Sequence, residues 1–121
     1  MRPDARDAAH LWDMLSSARE ALAIVDHVTA EQFLADRLRL RALERTFELV
    51  GEAARRVTPE CQAAHPEIPW RALIGQRNLL AHEYGRINPT LLYVSALERA
   101  PLLIALLECI VDTDASEGSS D

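Results

Sequence analysis

Apolar residues recur at alternating spacings of four and three through Leu11, Leu15, Ala18, Leu22 and Val25, the mark of one buried helical face. The pattern predicts a first helix from about Asp4 to Val28. Thr29 followed three residues later by Gln32 reads as a capping box flanked by Val28 and Phe33. A second helix is therefore expected from Thr29 to about Val57, with a seam of Leu40, Leu43, Phe47, Val50, Ala54 and Val57. Two long helices with so little chain between them must fold back as an antiparallel hairpin. Thr58-Pro59-Glu60 supplies the N-cap and first-turn proline of a short helix ending near His65, after which Pro66-Glu67-Ile68-Pro69 forces an extended connector. A further main helix is expected from Pro69 to about His82, punctuated by Gly85. Asn88 and Pro89 then cap and open a last helix to about Val111. Pro101 removes one of its internal hydrogen bonds and should kink or divide it, and Leu102–Val111 is apolar on nearly every face, so the core or a partner must cover it. The expectation is an all-α antiparallel bundle of four main helices plus a short one, over residues 1–111. Residues 112–121 turn acidic and small without apolar periodicity, and a disordered tail is expected there.

Composition narrows this picture. The chain has 121 residues, enough for one core and too few for two domains. Hydrophobic residues at 49% with aromatics at only 5% suit packed helices better than disorder or an aromatic-rich sandwich. A net charge of -6 argues at first against nucleic acid. Its distribution reverses that: residues 112–121 hold four acidic and no basic groups, whereas residues 70–88 hold three arginines against one glutamate. All 13 basic residues are arginine, a bidentate phosphate ligand, although a GC-rich genome gives the same bias. Cys61 and Cys109 match no metal-ligand spacing, which suits a reduced protein with no structural metal and no cofactor. The start of the chain lacks a signal-peptide core, and the longest apolar run, 101–107, is too short to span a bilayer. A cytoplasmic protein with no membrane partner is expected.

The chemistry concentrates in Trp70-Arg-Ala-Leu-Ile-Gly-Gln-Arg77-Asn78-Leu-Leu-Ala-His82-Glu-Tyr84-Gly-Arg86. At about 100° per residue, Leu80, Leu73, Trp70, Ala81 and Ile74 share an arc about 120° wide with Arg77 in its middle. A permanent charge in an apolar stripe must meet a carboxylate, emerge in a cleft or wait for an anionic ligand. Asn78 and His82, four apart, share the adjacent edge. Two readings are open. In the structural one, Arg77 pairs with Glu48 or Glu52, His82 caps the helix end, Asn78 is a satisfied amide and Tyr84 a half-buried aromatic. In the functional one, the same residues form a site.

Arg77-Asn78-Leu-Leu-Ala-His82-Glu-Tyr84 matches in full the R-N-x-x-x-H-x-Y form of the R-x4-6-H motif of HEPN ribonucleases. With Ile68-Pro69-Trp70 ahead of it, the chain resembles, over about residues 8–111, the HepT-like toxins of that superfamily. The resemblance implies a HEPN-type bundle and a metal-independent endoribonuclease acting on cellular RNA, with tRNA a target by family analogy. It implies a homodimer whose two motifs face each other across a cleft, so that two copies of Arg77 and His82 supply separate acid and base, with Asn78 orienting the phosphate or the histidine. His82 suits proton transfer near neutral pH. The resemblance also implies a type VII-like toxin–antitoxin pair, in which a minimal nucleotidyltransferase antitoxin silences the nuclease by AMPylation of Tyr84.

Other residues carry less. Arg86 is open to two roles, a phosphate contact or a turn contact at the helix end. Arg37, Arg41 and Arg45 recur every four residues, but interleaved Glu44, Glu48 and Glu52 make a solvated, salt-bridged face the better expectation. His10, His27 and His65 lack ligand-spaced partners. Two rival functions remain: a non-catalytic HEPN module that binds nucleotide or a nucleotidyltransferase partner, and a plain helical dimerisation protein.

Overall fold

The structure is a computed structural model that describes residues 4–83 and 88–119, with side chains described for 4–77 and 88–111. The described residues form six helices and no strand: α1 (Ala5–Val25), α2 (Ala30–Leu34), α3 (Arg37–Arg56), α4 (Pro59–Ala64), α5 (Trp70–Glu83) and α6 (Pro89–Ser119). Four are long and two short, which meets the all-α expectation.

α1 and α3 form the expected antiparallel pair. α1 starts where Asp4 accepts from the Asp7 N–H at 2.8 Å, and it buries Leu11, Leu15, Ala18 and Val25 together with Met14 and Ala21. His27, at φ 60°, turns the chain out of it. The helix expected to run unbroken from Thr29 is divided. The capping box at Thr29 forms both its bonds but opens only the single turn of α2, and Asp36 then caps α3 afresh by accepting from Arg39 N–H at 3.1 Å. The physical reason is Phe33, which the turn drives into the core against Tyr93, with ring centroids 5.3 Å apart. Tyr93 in turn donates its hydroxyl to the carbonyl of Val28, tying α6 to the α1–α2 loop.

α6 lies along α1 and buries Leu92, Ala96, Ala100, Leu103, Leu107, Ile110 and Val111 at helical spacing. Pro101 sits inside it without dividing it. The helix continues past the expected end at Val111 to Ser119, because nothing between Pro101 and Gly118 breaks a helix. Residues 112–119 are therefore helical in this structure rather than an irregular tail. The core covers only part of α6, leaving Leu91, Val94, Leu97 and Leu102 exposed.

α4 begins as expected at Thr58, whose Oγ1 accepts from Cys61 N–H at 3.2 Å. The same threonine donates its hydroxyl and its backbone N–H to the buried carboxylate of Asp7, at 2.7 and 2.9 Å. This clasp fixes the α3–α4 junction to the start of α1. The connector that follows is fastened by Trp70, which donates its indole N–H to the His65 carbonyl at 3.0 Å and buries its ring.

From that anchor α5 returns along α3, with Leu73 and Ile74 packed against the core. The approach is close because residue 51 is glycine: a Cβ there would collide with Arg77 Cβ and stand 2.6 Å from the Leu73 carbonyl oxygen. Since backbone cannot yield as a side chain can, Gly51→Ala is expected to push α5 away. The cost should be about 1–3 kcal/mol, as for other overpacked cores, visible as a lowered midpoint in thermal unfolding followed by circular dichroism. An unchanged midpoint would mean that the two helices are not held at this distance.

Candidate functional site

The site grows from that contact. Gly51 brings Arg77 beside its neighbour Glu52, and Arg77 Nη2 stands 2.9 Å from Glu52 Oε2. Of the two glutamates open to Arg77 in the sequence, Glu52 is the one it meets, while Glu48 pairs with Arg45 at 3.0 Å. The pair is not sealed in: the Arg77 side chain keeps 25% of its exposure and that of Glu52 27%.

Glu52 serves two more arginines from its own helix. Its Oε1 accepts from Arg55 Nη2 at 3.0 Å and from Arg56 Nε at 3.2 Å. Three guanidinium groups therefore surround one carboxylate, leaving a local excess of two positive charges in a chain of net charge -6. The hydrogen bond from Arg55 holds the Glu52 carboxyl below its ordinary 4.5, helped by the charges of Arg55 and Arg77 and opposed by burial. Glu52 Oε2 is shielded from water and, despite its ion pair, accepts no aligned hydrogen bond among the described residues. Charge is held here at close range, but not in the two-pronged geometry that makes an arginine–carboxylate pair strongest.

The other candidate residues divide by position. The side chains of Asn78 and His82 lie outside the described residues, although their backbone continues α5 one turn beyond Arg77. Tyr84 and Arg86 lie wholly outside the described residues. Arg41 and Arg45 pair with Glu44 and Glu48 at 2.9 and 3.0 Å, the salt-bridged face expected of them. Cys61 is buried at the Asp7 clasp. Burial, with smaller contributions from Asp7 and Asp4, pushes its thiol pKa up and keeps it protonated. No helix among the described residues is long and apolar enough to cross a membrane.

Sequence reasoning missed the parts played by Gly51, Arg55 and Arg56. Gly51 did carry a signal, since a glycine in a helix interior costs roughly 0.5–1 kcal/mol against alanine and so marks a close approach. Arg55 and Arg56 gave none, being ordinary arginines in the last turn of a helix.

Between α5 and α6 runs a groove of about 460 Å³. Ala18, Ala21, Phe47 and Val50 form its floor, Leu73 one wall and Leu103 the other. Leu102 of α6, 67% exposed, stands at its edge.

A family model described as Ribonuclease HepT-like matches residues 14–110, which include all of the motif from Arg77 to Tyr84. The chain belongs to the HepT-like ribonuclease family. A candidate RNase of Methanocaldococcus jannaschii is 28% identical over 102 residues, covering 84% of this chain and 94% of that one. A protein of Thermococcus cleftensis named as a probable ribonuclease HepT is 32% identical over 95 residues, covering 75% and 86%. A candidate RNase of Caldanaerobacter subterraneus is 29% identical over 94 residues, covering 78% and 84%. No solved structure matches the chain. Gly51 and Glu52 fall inside the matched HepT-like span, as do Arg55 and Arg56.

The lowered pKa of Glu52 sets a pH window for this HepT-like domain. A carboxylate depressed in the folded state stabilises it fully above the unfolded value of 4.5, and that stabilisation is lost as pH falls through the folded value. The gap in melting temperature between wild type and Glu52→Gln should thus hold steady above pH 4.5 and shrink below it. A gap independent of pH would contradict the ionised cluster.

Proposed function

We propose that this chain is the toxin of a HepT/nucleotidyltransferase pair, a metal-independent endoribonuclease that cleaves cellular RNA as a homodimer. The observation that carries the reading is the motif arginine itself. Arg77 is part-exposed on the family's matched segment, in a group of three guanidiniums that share one carboxylate. An excess of positive charge at that place is what a phosphodiester needs, both for binding and for the charge that builds up in its transition state.

In the proposed reaction a ribose 2′-oxygen attacks the adjacent phosphorus. The 2′-O–P bond forms, the P–O5′ bond breaks, and the products are a 2′,3′-cyclic phosphate and a 5′-hydroxyl. One His82 takes the 2′-hydroxyl proton and the other, protonated, gives one to the leaving 5′-oxygen. Arg77 stabilises the phosphorane charge and Asn78 orients the phosphate or the histidine. A single copy offers one histidine, which is why the reading requires two. The groove between α5 and α6, with Leu102 exposed at its edge, supports a second copy on this side of the bundle.

Tyr84 is the proposed switch. The antitoxin transfers AMP from ATP to it: the tyrosine oxygen bonds to the α-phosphorus and pyrophosphate leaves. The added phosphate puts negative charge beside the RNA site and repels the substrate. Arg86 is proposed as an added phosphate contact. A second reading, a non-catalytic module that binds nucleotide or the nucleotidyltransferase, draws on one observation, the Arg77–Glu52 ion pair, which is the contact a structural arginine makes.

Expression of wild type, Arg77→Ala and His82→Ala without a partner separates the two. Growth arrest and RNA breakdown are expected with wild type only, and equal behaviour of all three would end the nuclease reading. In the same cells, co-expression with a minimal nucleotidyltransferase should add whole AMP units to Tyr84 by mass spectrometry and restore growth. Restored growth with an unmodified Tyr84 would refute the switch.

A further inference from the structure

Glu52 stands where α3 and α5 come closest, and it is engaged from both sides. Arg55 and Arg56 hold Oε1 from the helix on which Glu52 itself lies, so the carboxylate has partners independent of Arg77. Gly51 removes the side chain that would hold α5 off, and Arg77 Nη2 then meets Oε2 at 2.9 Å. That oxygen is shielded from water and receives no aligned hydrogen bond among the described residues. A contact built for stability alone would align the donor with the acceptor, because an unsatisfied buried oxygen is costly. The anchored carboxylate and the missing side chain beside it together put a negative charge in contact with the guanidinium.

We propose that Glu52, held through Oε1 by Arg55 and Arg56, is the positioning residue that places the Arg77 guanidinium for RNA cleavage without itself touching RNA. The proposal rests on the ribonuclease reading above. Neutralising Glu52 removes that negative charge and raises the local excess from two positive charges to three, counted over Arg55, Arg56 and Arg77. RNA is then held at least as tightly, but Arg77 is misplaced when charge builds on the phosphate. That combination lowers kcat while leaving KM unchanged or reduced, whereas general loosening of the α3–α5 contact would impair binding as well.

The test uses the full chain as wild type, Glu52→Gln, Glu52→Asp, Arg77→Ala and the Glu52→Gln/Arg77→Ala double variant, at a temperature where circular dichroism shows each fully helical. Single-turnover cleavage is measured on a fluorescent single-stranded RNA, and affinity by anisotropy on the same oligonucleotide carrying 2′-O-methyl groups, which cannot be cleaved. Glu52→Gln should cleave about 10–100-fold more slowly, the range typical of a misplaced catalytic group, with equal or tighter binding. Glu52→Asp keeps the charge one methylene short and should recover part of the rate. On the Arg77→Ala background Glu52→Gln should slow cleavage no further, because its effect on rate runs through that guanidinium, while affinity should still be equal or tighter because a negative charge beside Arg55 and Arg56 is removed.

Glu52→Gln cleaving at the wild-type rate overturns the proposal, as does a further loss of rate in the double variant. Should Glu52→Gln fail to fold, a wild-type rate for Glu52→Asp overturns it equally. An Arg77→Ala protein as active as wild type, or a wild type that leaves RNA intact, ends the ribonuclease reading instead. The Glu52 proposal, which rests on that reading, then falls with it, whereas its own failure leaves wild-type cleavage and the Arg77→Ala loss intact.

Discussion

The closeness of α5 to α3 at Gly51 governs what the rest of the molecule can do. A glycine in the interior of a helix gives up some stability, and here the return is a backbone approach that no side chain would permit. The approach fixes the register of one helix on the other and thereby decides which glutamate meets Arg77. Elsewhere the molecule guards the same geometry. The Asp7–Thr58 clasp fixes the end of α3 and the start of α4, and the Trp70 indole fastens the connector from which α5 departs. Phe33 and Tyr93 close the other end, so the α1–α3 pair is a firm floor on which α5 and α6 stand.

Much of this was legible before any coordinates. The alternation of threes and fours marked the faces of α1 and α3, and of the predicted seam Leu43, Val50, Ala54 and Val57 are fully buried, with Leu40 and Phe47 packed beside them. Caps and prolines located α4, α5 and the start of α6. The break at Asp36 was illegible because the apolar pattern runs on through Leu34 and Leu38, two leucines the fold leaves exposed, while the deciding contact, Phe33 on Tyr93, joins residues sixty apart in the chain. The run of α6 beyond Val111 escaped notice for the opposite reason: acidic composition suggested irregular chain, but no residue before Gly118 prevents a helix.

The site was legible in kind and not in detail. Arg77 stood out as a charge in an apolar stripe, and its pairing was narrowed to Glu48 or Glu52, which lie four apart on one face of α3. Choosing between them requires the register of α5 on α3, which one glycine sets and no periodicity reveals. Nor could spacing show that Arg55 and Arg56 would turn toward the same carboxylate. The motif gave the family, confirmed by the match over residues 14–110, because a family signature records which residues matter and leaves their neighbours unstated.

The lopsided charge has its own consequence for encounters in solution. In a chain of net charge -6, the group of Arg55, Arg56 and Arg77 around Glu52 is a place among the described residues where positive charge outnumbers negative, and such a place attracts anions. Such a contrast would orient a polyanion that met the chain. Because repulsion and attraction are both screened over about 10 Å at 0.1 M salt, raising the ionic strength weakens the grip and blurs the aim at the same time.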